Sequence, residues 1–217
     1  MNTLEFYFDF ADPFSYIAGK RFIDYIDANG ISVDSINFRS FQLKPNDTNK
    51  NLNFLESQVL VSQYNSIEEF VEYFNETIGK EALSSGLTIN VESIINSNSV
   101  HAHAGMHFTK KFGKHLDFFL RVMHDHYANG SNYYDLDYIK SVLVDLGLET
   151  SVFEENLKEL KRQVSLDRFE GLKIGLQVVP SFFIKDNLAF MGMGSKRAFD
   201  EAFSKLVKPN TESIAKK

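Results

Sequence analysis

Apolar residues alternate along the first stretch of the chain, at Leu4, Phe6, Phe8 and Phe10, and the alternation stops at Ala11-Asp12-Pro13. A period of two predicts a strand over residues 3–10. Asp12 has the short acceptor side chain of a helix N-cap. Pro13 then falls at the first helical position, where its missing N–H costs nothing. The predicted helix carries Tyr16, Ile17, Phe22, Ile23 and Ile26 and ends near Asn29-Gly30. Ile31 to Phe41 reads as a second extended segment. Strand, helix and strand in this order predict parallel strands joined by a right-handed crossover.

Beyond Pro45 the pattern changes. "KPNDTNKNLN" is a polar loop, and Ser66 with Glu69 has the spacing of a capping box opening a helix to about Lys80. Asn98 or Ser99 can cap a helix through Phe112. Further helices are expected from about His115 to Ala128, from Asp135 to Leu146, and from a second capping box, Ser151 with Glu154, to about Gly175. Strand character returns in "VVPSFFIKDNLAFMGM", whose apolar runs flank Asp186-Asn187 and predict a hairpin. Ser195 then caps a last helix bearing Ala198, Phe199, Ala202, Phe203 and Leu206. The expected organisation is an α/β core of residues 1–61 and 166–210, an all-helical insertion of residues 62–165, and a loose tail of residues 211–217.

Composition narrows the function. With 217 residues, 43% of them hydrophobic, the chain can bury a core plus an inserted subdomain. A net charge of −6 argues against nucleic acid or an anionic membrane surface as the main partner. No apolar run approaches the roughly 20 residues of a spanning helix, and no basic-then-apolar leader pattern is visible, so the expected location is the cytoplasm. Cysteine is absent, which removes disulfides, thiolate metal sites and every cysteine-based mechanism. Most of the 21 phenylalanines must be core, with Phe14 the exception expected at a cleft mouth where an apolar ligand can touch it.

Candidate chemistry sits in three stretches. Asp12-Pro13-Phe14-Ser15 is either a helix cap or a ligand site in which the Ser15 hydroxyl and the first N–H groups face the ligand. There Asp12 acts as acceptor, general base or metal ligand. In "MGMGSKRAF", Gly194, Ser195, Lys196 and Arg197 open a helix whose free N–H groups suit a carboxylate or phosphate, the alternative being a solvated helix start. All six histidines fall between residues 101 and 126, and His103 and His107 share a helical face one turn apart, as metal ligands do. No Glu follows His103 in the zinc-site pattern and no third ligand is identifiable, so no metal is expected.

Taken together, "FYFDFADPFSYIAGKRF", "FRSFQLKPN", "NSNSVHAHAG" and "VVPSFFI" resemble the DsbA-like thioredoxin superfamily, in particular its FrnE-type branch of dithiol-disulfide isomerases. They are also similar to 2-hydroxychromene-2-carboxylate isomerases and kappa-class glutathione transferases. The resemblance covers nearly the whole chain. It implies a thioredoxin-like fold with a helical insertion and a cis bond between Val179 and Pro180, with the Val179 backbone beside the Asp12–Ser15 turn. It also implies a cleft there, lined by Pro13, Phe14 and His103, the last matching the histidine of the branch's Asn-Thr-x-x-Ala-His-Arg pattern. The departures bear on chemistry. Redox members read Cys-Pro-x-Cys where this chain reads Asp12-Pro13-Phe14-Ser15. The isomerase and transferase relatives read Ser-Pro-Tyr-Ser, the first serine holding the thiol of glutathione. Lys196 replaces the Asp of their γ-glutamyl site. Thiol–disulfide exchange is therefore not expected, since its attacking thiolate is missing. Three readings remain: a site for a small anionic or thiol ligand, glutathione included; an enzyme in which Ser15 holds a thiol; and a non-catalytic module binding an extended peptide. No cofactor is implied, and a homodimer stays open.

Overall fold

The computed structural model describes residues 4–32, 36–46, 53–61 and 64–203. The alternating start forms β1 (Leu4–Phe8), and all five of its residues are buried because it lies inside a four-stranded sheet of order β2-β1-β3-β4. β2 (Ile36–Ser40) runs parallel to β1, with Leu4 opposite Ile36 and Phe8 opposite Ser40. β3 (Ser181–Ile184) is antiparallel to β1, with Tyr7 opposite Ser181, and β4 (Asn187–Met191) is the edge strand. A central strand must satisfy both of its faces. On one face Phe6 stacks on Phe182 at 4.6 Å, and Phe8 meets Phe119 edge-on at 5.0 Å. On the other, Tyr7 packs with Phe41, Leu176 and Phe183, while Glu5 pairs with Arg39 at 2.8 Å.

Helices cover the sheet. α1 (Pro13–Ala28) follows β1 directly, and between β2 and β3 come α2 (Phe54–Val61), α3 (Ile67–Phe74), α4 (Lys80–Ser84), α5 (Val100–Lys110), α6 (His115–Asn129), α7 (Leu136–Asp145) and α8 (Thr150–Lys173). α9 (Lys196–Phe203) closes the described chain and buries Phe199 and Phe203; Leu206 and the tail lie outside the described residues. Two adjacent rings of α6 set the spacing of its neighbours. A Cβ on Gly19 of α1 would lie 2.4 Å from the Phe119 ring, and one on Gly105 of α5 would lie 2.4 Å from the Phe118 ring. Both helices approach α6 this closely because neither has a side chain at the contact.

Four local expectations are corrected. α2 was not expected: it follows the polar loop with little amphipathic pattern. The Ser66 hydroxyl does accept from Glu69 N–H at 3.2 Å, but the Glu69 carboxylate turns to Asn65 N–H, and a π turn over Asn75–Gly79 carries the helix past Lys80 to Ser84. Ser151 and Glu154 form no capping box; Glu149 is the N-cap of α8, and Glu154 accepts from Lys140 at 2.9 Å. The hairpin turn is Lys185-Asp186, one residue earlier than expected, because Ile184 pairs with Asn187. Both turn residues have positive φ, 50° and 61°, as a two-residue turn matched to strand twist requires.

Candidate functional site

The register places the ends of β1 and β2 and the start of β3 at one end of the sheet. The first residue beyond β1 there is Asp9, fully enclosed, and its carboxylate gathers distant parts of the chain. Oδ1 accepts from Ser99 Oγ at 2.6 Å, from His103 Nε2 at 3.2 Å and from Ala11 N–H at 3.3 Å, and Oδ2 accepts from Leu43 N–H at 2.7 Å. Burial pushes this carboxyl up. The bonds from His103, Ser99 and Leu43 outweigh burial and hold it below the usual carboxylate range.

Three residues on, Asp12 caps α1. Its Oδ1 accepts from Phe14 N–H at 3.3 Å and its Oδ2 from Ser15 N–H at 2.8 Å. The Ser15 hydroxyl donates to Asp12 Oδ2 at 2.6 Å and accepts from Asp9 N–H at 3.3 Å. Here burial prevails over the hydrogen bonds, with the neighbouring Asp9 charge adding to it, and the Asp12 carboxyl is pushed up to about 7. Ser15 has no exposed surface, which favours the helix-cap alternative over the one in which its hydroxyl faces a ligand: the hydroxyl lies between two aspartates and closes the turn.

The surface over this turn is apolar. Phe14 is 39% exposed, and Leu43 and Val178 at the same end of the sheet are 42% and 50% exposed. The Val179–Pro180 bond is cis, with Val179 half-buried and Pro180 buried. Pro13 is half-buried at the first turn of α1.

The histidine expectations change. His103 is fully buried between the rings of Phe8 and Phe10, so it lines no cleft and instead holds Asp9. His107 bonds a different set, with Nε2 3.1 Å from Ser40 Oγ and 3.2 Å from Asp167 Oδ2. The shared helical face thus serves two separate carboxylates, and among the described residues no group of three or more His, Asp or Glu is arranged to hold a metal ion.

The glycine-serine stretch lies apart. Ser195 caps α9 by accepting from Ala198 N–H at 3.2 Å, while the exposed Lys196 and Arg197 pair with Asp200 and Glu201 one turn on. Gly194 is drawn in through its carbonyl, which accepts from Arg21 at 2.7 Å. Arg21 also bonds Ser84, Ser85 and Glu81, joining α1 to α4 and to the turn before α9. Ser195 and Lys196, with Arg21, Tyr25, Glu81 and Phe199, line a cavity of about 510 Å³. The sequence reading missed Asp9, Arg21 and Asp167. Asp9 carried a local signal, an acid sitting between two phenylalanines of an apolar run; the other two carried none.

A parallel β1–β2 pair, an antiparallel hairpin and helices inserted between them define a thioredoxin-like α/β protein with a helical insertion. Residues 3–204 match the model of the DSBA-like thioredoxin domain, and the chain belongs to that family. It is 23% identical to YwbO, an uncharacterized protein of Bacillus subtilis, over 93% of this chain and 95% of that one. Among solved structures, a probable DsbA oxidoreductase of Streptomyces coelicolor superposes with a TM-score of 0.78 at 21% identity, covering 95% of this chain and 90% of that one. A 2-hydroxychromene-2-carboxylate isomerase follows at 0.69 and 18%, covering 94% and 95%. The cytosolic disulfide reductase DsbM of Pseudomonas aeruginosa, solved with glutathione, gives 0.59 and 14%, covering 94% and 95%. These likenesses concern the fold. No helix among the described residues is long and apolar enough to cross a membrane.

Proposed function

We propose that this chain works without thiol–disulfide exchange, as a cytoplasmic binding protein that takes an extended peptide segment with apolar side chains at the end of the sheet over Asp12–Ser15. The observation that carries the first half is the absence of cysteine from the whole chain, since exchange begins with attack by a thiolate. The second half rests on the exposed Phe14, Leu43 and Val178 around a turn whose polar groups are already satisfied. Phe14, Leu43 and Val178 are the contact residues in this reading, with the half-buried Pro13 and Val179 beside them and Pro180 buried beneath. Asp12 and Ser15 hold the turn from beneath.

The test is fluorescence anisotropy of a labelled, unstructured apolar peptide against a charged peptide of equal length. Saturable binding of the apolar peptide, lost in Phe14→Asp and Val178→Asp, supports the reading; equal response to both peptides rejects it. A second reading, a glutathione-sized thiol ligand, is favoured by DsbM having been solved with glutathione. The enclosed Ser15 hydroxyl argues against it. Glutathione at about 100 times its Kd would add roughly 2.7 kcal/mol to stability, a shift of a few degrees in Tm. Such a shift, abolished by Phe14→Asp, would replace the first reading with the second.

A further inference from the structure

A separate cavity of about 330 Å³ opens between α5 and α8, lined by His107, Lys110, Lys111, Glu159, Leu160 and Gln163. It lies beside the Asn37 end of β2, where the Lys110 ammonium donates to Asn37 Oδ1, away from the turn at Asp12. We propose that this cavity binds the phosphate group of a small metabolite, held by Lys110 and Lys111 with His107 on its inner wall.

The charges on its wall are unevenly committed. In a chain of net charge −6, Lys20, Lys80, Lys140, Lys173, Arg121 and Arg162 all sit on carboxylates. Among the described residues Lys110 and Lys111 form no ion pair, and the Lys110 ammonium donates to a neutral carboxamide. The acid on the wall, Glu159, is already occupied. Arg162 grips both of its oxygens at 2.7 Å, and Gln163 Nε2 donates to one of them at 2.7 Å. These bonds, with the nearby charges of Arg162 and Lys111, hold Glu159 down at about 2, so its carboxylate is already balanced chiefly by Arg162. Beneath the cavity, Asp167 is likewise consumed, by Arg39 Nη1 at 2.8 Å, Ser40 N–H at 2.9 Å and His107.

That leaves a recess walled by two lysines that form no direct ion pair among the described residues, with the Lys111 charge acting on Glu159 and those of Asp167 and Glu5 acting on Lys110. Lys110 is exposed at the surface; desolvation by its neighbours, with Arg39 adding, holds its ammonium below the ordinary value against the pull of Asp167 and Glu5. His107 presents Nε2 to Asp167 and Ser40, and among the described residues its Nδ1 has no hydrogen-bond partner. Lysines in the last turn of α5 also complement the helix dipole. That accounts for Lys110 and Lys111 as residue types. It does not account for the cavity beside them or for the histidine on its inner wall. The volume is at the small end of ligand pockets, and two ammonium point charges suit a compact dianion.

Inorganic phosphate is the probe, titrated calorimetrically into the full chain at constant ionic strength, with chloride as the reference ion. Saturable phosphate binding is expected in the wild type. Lys111→Gln, an exposed position whose change leaves the core intact, should weaken it about tenfold. Lys114→Gln, exposed just beyond the end of α5, should leave it unchanged. A phosphate response no larger than that of chloride, or equal binding by Lys111→Gln and the wild type, overturns the proposal.

Discussion

Asp12 offers a test of how burial and capping compete at the start of α1. Its folded value of about 7, against an ordinary 3.8, means that between about pH 4 and 7 the folded chain holds a proton the unfolded chain has released. Unfolding then gives up a proton, so this group's contribution falls as pH rises through that window and levels off above it. The gap corresponds to about 4 kcal/mol. His126 acts in the opposite sense. Burial pushes it from 6.5 down to about 4, so the unfolded chain takes up a proton that the folded chain refuses, and stability rises with pH over about 4 to 6.5. That contribution is about 3 kcal/mol, and over the shared window the two slopes largely cancel. Asp12→Asn removes one of them. The carboxamide keeps an acceptor for Phe14 N–H but loses the one for Ser15 N–H, a pH-independent cost of about 1 kcal/mol. Urea unfolding at pH 4.5, 5.5, 6.5 and 7.5 should therefore show the variant about as stable as the wild type at pH 4.5. It should become more stable by about 2 to 3 kcal/mol at pH 7.5, with an unchanged m-value. Parallel profiles for the two proteins would refute the reasoning, because Asp12 would then be ionised in the fold throughout.

Three further outcomes follow from the geometry. Asp12→Cys with Ser15→Cys should form an internal disulfide that dithiothreitol reverses, read by thiol titration and intact mass; failure to close would mean this turn is not the counterpart of the family's Cys-x-x-Cys turn. Gly19→Ala should cost about 1 to 3 kcal/mol despite the gain in helix propensity, since the new Cβ meets the Phe119 ring at 2.4 Å, and Phe119→Leu in the same chain should recover part of that loss. Lys185→Asn with Asp186→Gly should raise stability by about 1 to 2 kcal/mol, because both residues now hold positive φ without glycine; an unchanged denaturation midpoint would count against strain at that turn.

The legible parts of this molecule were those decided by neighbours in sequence. Asp12 before Pro13 and the alternation of β1 are each settled within a few residues, and each was found. The Lys185-Asp186 turn was misplaced by one because register is set by which residues pair across the hairpin, and the apolar runs alone leave that open. His103 was assigned to a cleft because it matches the histidine of the family branch's Asn-Thr-x-x-Ala-His-Arg pattern, and a motif does not say what this chain places opposite it. Opposite it are Phe8, Phe10 and Asp9, all from the first ten residues. Arg21 reads as an ordinary surface residue of an amphipathic helix, and its partners at positions 81, 84, 85 and 194 are joined to it only by the fold.

The bonds converging on Asp9 have a consequence for the order in which the nascent chain acquires structure. A ribosome delivers residue 9 long before residues 99 and 103, which lie 90 and 94 positions downstream, and β3 pairs with β1 only once residue 181 has emerged. Until then the strand that becomes the centre of the sheet has an open edge, and its acid has half of its partners. The N-terminal third therefore gains these contacts only late in synthesis, and one edge of its strand stays open to wrong pairing until the last hairpin arrives.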